Sequence, residues 1–223
     1  MERIIVDCWK DDIAEIISKA ERNKEDCLVR MAHITSVIDD EECIKQEGLL
    51  ELNALLNNFD SPIYRFLKLY GITIDINHKN IKYCDRLIPI ERNISNSYLW
   101  EELYYKKTAR ESFVYTKSDI KTFDYSCIKK YPEILSKLDK YLDNKGCECN
   151  SLSHAWAKIC TPIIYSFSVP IKQLRLNDGT ELCADEFLEN VKSEKCSNVV
   201  NNGFLAYGIC HDFVIDYADM TKI

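Results

Sequence analysis

Residues 28–36, Leu-Val-Arg-Met-Ala-His-Ile-Thr-Ser, constrain this chain more than any other stretch. The apolar run reads as a strand over 26–33 that delivers His33, and behind it the hydroxyls of Thr35 and Ser36, into a loop. Asp39 or Asp40 then opens a short helix carrying Cys43 and Ile44, and Gly48 ends it as a C-cap. A strand that hands polar groups to a loop, with a helix closing behind it, frames a pocket for a polar small molecule, so the candidate chemistry centres here.

The period of the apolar residues switches between helix and strand along the rest of the chain. Ile13, Ile16, Ile17 and Ala20 share one helical face behind Asp11 and Asp12, whose charge suits a helix N-terminus. Two further helices are expected, one through Leu49, Leu52, Leu55 and Leu56, the other through Ile63, Phe66, Leu67 and Tyr70. The second has Ser61 as N-cap and Pro62 in its first turn. Residues 72–76 and 81–84 read as a hairpin and 85–97 as irregular chain. A helix near 98–104 and a strand at 112–116 follow. The block 118–145, with Ile128, Tyr131, Leu135, Leu138 and Leu142 on one stripe, reads as a helical insertion. Then come an amphipathic helix over 151–160, a strand over 163–169, a helix over 182–192, and a strand pair over 204–217 broken near Gly208. Helices and mixed short strands in this order predict one α+β domain spanning 1–223, with helices flanking its strands, and not a wound parallel sheet.

Composition narrows the partners. A net charge of -7 denies the chain a general grip on nucleic-acid phosphates. The lysines at 106, 107, 117, 121, 129, 130, 137 and 140 lie among the tyrosines of the middle segment. They share it with Glu101, Glu102, Asp119 and Asp124, as on a solvated mixed-charge face. No run of 18 apolar residues occurs, and Asp7 cuts the first apolar stretch short, so neither a spanning helix nor a signal peptide is expected and a cytoplasmic setting is. The 11 cysteines contain no C-x-x-C pair and read as small buried hydrophobes, Cys210 among them. Cys147, Cys149 and His154 lack a fourth ligand, and no metal site is expected. The chain also lacks G-x-S-x-G, the phosphate-binding loop G-x-x-x-x-G-K-[ST] and H-E-x-x-H.

Four pieces in order resemble the ADP-ribosyltransferase superfamily in its histidine, tyrosine and acid branch: His33 with Thr35, then Phe113-Val114-Tyr115-Thr116, then the helix through Ser153-His154-Ala155-Trp156-Ala157 leading into Ile163-Ile164-Tyr165, and last His211-Asp212-Phe213-Val214-Ile215. The resemblance covers about two thirds of the chain, by short motifs. It implies NAD as substrate, bound in the cleft of a split mixed sheet, and ADP-ribose passed to a protein or nucleic-acid acceptor. Under it His33 hydrogen-bonds the adenosine ribose with Thr35 or Ser36 in support. Tyr115 stacks on the nicotinamide, and Asp212, or else Glu194, stabilises the charge that grows on the ribose as nicotinamide leaves. Asp212 stands where the family carries glutamate, and is shorter by one methylene.

Each of these residues also has an ordinary role. His33 reads equally as a hydrogen-bonded strand histidine, Tyr115 as packing, and Asp212 as a turn residue of the last hairpin. Glu181, Glu186 and Glu189 read as a solvated helix face. The second functional reading is therefore a binding module on the same scaffold that has lost turnover.

Overall fold

The computed structural model describes residues 4–7, 13–24, 27–92, 98–105, 112–115, 129–148, 150–176, 179–196, 204–210 and 213–223, with backbone alone at 105, 112–115, 194–196 and 204–206. The fold is α+β, with mixed sheets flanked by helices. Its strands are β1 (Ile5–Val6), β2 (Leu28–Val37), β3 (Ile72–Asp75), β4 (Asn80–Tyr83), β5 (Arg86–Pro89), β6 (Ser112–Tyr115), β7 (Thr161–Pro170), β8 (Leu174–Arg175), β9 (Phe204–Ile209) and β10 (Thr221–Lys222). The helices are α1 (Ile13–Arg22), α2 (Glu42–Glu47), α3 (Leu52–Asn57), α4 (Pro62–Leu69), α5 (Glu133–Asn144), α6 (Leu152–Ala157) and α7 (Ala184–Cys196), with a π-helical turn at Glu101–Tyr105. The chain divides into two compact units, one built from 1–33, 107–124 and 164–223, the other from 34–106 and 125–163.

The first unit is organised by the larger sheet, whose strand order is β10-β7-β2-β6-β9-β8, with β1 added to the start of β2. β1 runs parallel to β2, while β6 and β9 run antiparallel to their neighbours, which makes the sheet mixed. Val29, Met31, Phe167, Val169 and Ile209 fill its interior. Helices α1 and α7 are tied by ion pairs from Lys24 to Asp185 and from Lys192 to Glu21. Ile17 and Ala20 on α1 and Phe187, Leu188 and Val191 on α7 are buried, as the helical period requires, while Glu181, Glu186 and Glu189 are exposed.

In the second unit β3, β4 and β5 form an antiparallel meander whose buried Ile72, Ile74, Ile81 and Ile88 join Phe66, Leu99, Leu135, Leu138 and Trp156 in one core. Each such side chain stabilises the unit by about 1.5–3 kcal/mol. Ser61 caps α4 by accepting from the Tyr64 amide at 3.1 Å, with Pro62 as its first residue. The Tyr141 phenol, fully buried, donates to the Pro89 carbonyl at 2.6 Å and accepts from the Glu91 amide at 2.9 Å. That pair of bonds fixes the end of β5 to α5.

Several elements depart from the sequence reading. The hairpin turn lacks a glycine, yet it closes because the Asp75 carboxylate accepts from the His78 amide at 3.0 Å and from its ring Nδ1 at 2.8 Å, with Lys79 in the left-handed region at φ 54°. β5 lies inside the segment read as irregular. Cys84 turns the chain at φ 51°, and exposed Leu87 and Pro89 hide the apolar alternation. Helix α6 stops at Ala157, before the expected end at 160, because the long strand β7 begins at Thr161. β9 runs unbroken through Gly208, residues 213–216 form no strand, and it is β10 that returns to the sheet beside β7. Within 118–145 the helix occupies Glu133–Asn144, and 118–128 lies outside the described residues. Among the described residues no helix is long and apolar enough to cross a membrane.

Candidate functional site

β2 does not end at residue 33 but continues to Val37, so His33, Thr35 and Ser36 are strand residues and not loop residues. Side chains alternate along a strand, and this alternation sorts the three. His33 and Thr35, two positions apart, share one phase and are both half-buried. Ser36 takes the opposite phase and is 4% exposed. Along β2 the accessible phase changes once. Leu28 and Arg30 are accessible in the first half, Met31 and Ala32 are both buried, and His33 and Thr35 are accessible beyond them. A strand covered on one face in its first half and on the other in its second produces this pattern, with His33 and Thr35 in one phase of the strand.

Ser36 is committed to packing. Its Oγ accepts from the Trp156 indole Nε1 at 3.0 Å, and the Cys160 thiol is a further hydrogen-bond partner. The Trp156 ring, 2% exposed, stands edge-on to Phe66 with centroids 5.0 Å apart. Cys160 also donates to the Lys130 carbonyl at 2.9 Å, and burial holds its thiol pKa above the ordinary value. This arrangement is the core of the second unit, and it leaves Ser36 without the exposure a ligand contact needs.

β6, which carries Tyr115, is the direct neighbour of β2, and β9 is the next strand beyond it. The register pairs Ala32 with Phe113, and Tyr115 with Phe204 on β9. The topology brings the two strands together. The side chain of Tyr115 lies outside the described residues, as does that of Glu194 near the end of α7, and Asp212 lies outside them altogether.

The charged group of β2 that the motif reading passed over is Arg30, visible in the sequence as the one charge inside an apolar run. Its Nη1 donates to the Ser166 hydroxyl of β7 at 3.3 Å, and its Nε stands 4.0 Å from the Asp7 carboxylate at the end of β1. Cys210, read as buried packing, is half-buried where β9 ends, with its amide donating to the Gln173 carbonyl at 2.9 Å. Cys149 of the Cys147, Cys149 and His154 group lies outside the described residues.

Compared with known proteins, the chain matches no family model, no curated protein and no solved structure.

Proposed function

We propose that the chain binds NAD against the β2, β6 and β9 strands and transfers ADP-ribose to a protein or nucleic-acid acceptor. The observation that carries this reading is topological. The motif strands of His33 and Tyr115 are some 80 residues apart in sequence and adjacent in the sheet, and Asp212 follows the next strand, β9, three residues on in the sequence. In this reading His33 donates a hydrogen bond to the adenosine ribose, and the Thr35 hydroxyl, in the same phase of β2, supports it. The bond between ribose and nicotinamide breaks, positive charge grows on the ribose, and the carboxylate of Asp212 or Glu194 stabilises that charge and activates the acceptor nucleophile. Ser36 has no part in ligand binding, because its hydroxyl is buried against Trp156. In the same reading Tyr115, on the neighbouring strand β6, stacks on the nicotinamide.

A binding module without turnover is the second reading, favoured by the shorter acid at 212. Incubating the purified chain with NAD labelled in the nicotinamide, and separately in the adenine, distinguishes the two. Transferase activity predicts nicotinamide release and label on an acceptor or on the chain itself, with a loss of about 100-fold or more in Asp212→Ala or Glu194→Ala. NAD binding without release supports the module. Release that persists unchanged in His33→Ala, Asp212→Ala and Glu194→Ala rejects these residue roles.

A further inference from the structure

We draw no further inference here: the strongest candidate, the Arg30 guanidinium on β2 between Ser166 and Asp7 with no hydrogen-bond partner at Nε, carries nothing because that nitrogen is sealed from solvent, the Asp7 carboxylate already stands beside the charge, and nothing in the structure shows a ligand there.

Discussion

The hydrogen bond from Trp156 to Ser36 makes a quantitative prediction that separates packing from ligand binding at β2. The bond is 3.0 Å long between residues 2% and 4% exposed, so neither group has water as a substitute partner. Ser36→Ala leaves the indole N–H buried without an acceptor and is expected to cost about 1–3 kcal/mol. Trp156→Phe removes the donor and part of the ring and is expected to cost about 2–3 kcal/mol, mostly through the space left beside Phe66. Once the donor is gone, losing the acceptor matters little. The double variant is therefore expected to be about as stable as Trp156→Phe alone, with a coupling of roughly 1–3 kcal/mol. Urea unfolding followed by far-ultraviolet circular dichroism reads all four proteins, and NAD titration of Ser36→Ala is expected to match the unaltered chain. Costs that add to within about 0.3 kcal/mol refute the packing role. So does a Ser36→Ala protein of normal stability that no longer binds NAD.

Two further outcomes follow from the second unit. Asp139 accepts from the Leu152 amide at 2.7 Å, the Ser153 amide at 3.0 Å, the Ser153 hydroxyl at 2.7 Å and the Ser151 hydroxyl at 3.0 Å, so it holds the start of α6 against α5. Asp139→Ala is expected to lower the unfolding free energy by about 2–4 kcal/mol in a urea titration, and a loss under about 0.5 kcal/mol contradicts that role. Burial, with the Glu47 and Asp39 carboxylates adding to it, pushes the Cys43 thiol up to about 11. At pH 8 Cys43 is expected to resist alkylation while exposed Cys84 and Cys183 react, as peptide mass spectrometry reads, and equal labelling contradicts this. The linked effect on stability has a definite sign. The unfolded chain loses the Cys43 proton near pH 9 and the folded chain keeps it until about 11, so this group makes stability fall as pH rises through that window.

What was legible in the sequence tracks how local the determining physics is. The helical faces of α1, α4 and α7 and the caps Ser61 and Gly48 are set by neighbours a few residues away, and the structure carries them as read. β5 escaped because its turn depends on a cysteine in a conformation usually left to glycine. The end of β2 escaped because Thr35 and Ser36 interrupt its apolar run before Val37. The hydroxyl of Ser36 looked like a loop group in the sequence, yet it meets an indole 120 residues further on. The candidate site has the same character. His33 and Thr35 could be paired from their spacing alone, since two positions along a strand return to one face. That β2 lies beside β6 is a long-range pairing, which no local pattern encodes.

The central claim, that β2 receives NAD through His33 and Thr35, is tested most directly by calorimetric titration of NAD into the unaltered chain, His33→Ala, Thr35→Ala and Tyr115→Ala. The account predicts saturable binding, weakened about 10-fold or more by loss of the imidazole and less by loss of the Thr35 hydroxyl. Loss of Tyr115 is expected to weaken binding as well, through lost stacking on the nicotinamide. No binding heat from the unaltered chain at millimolar NAD, or equal affinity in the chain and in His33→Ala, contradicts it.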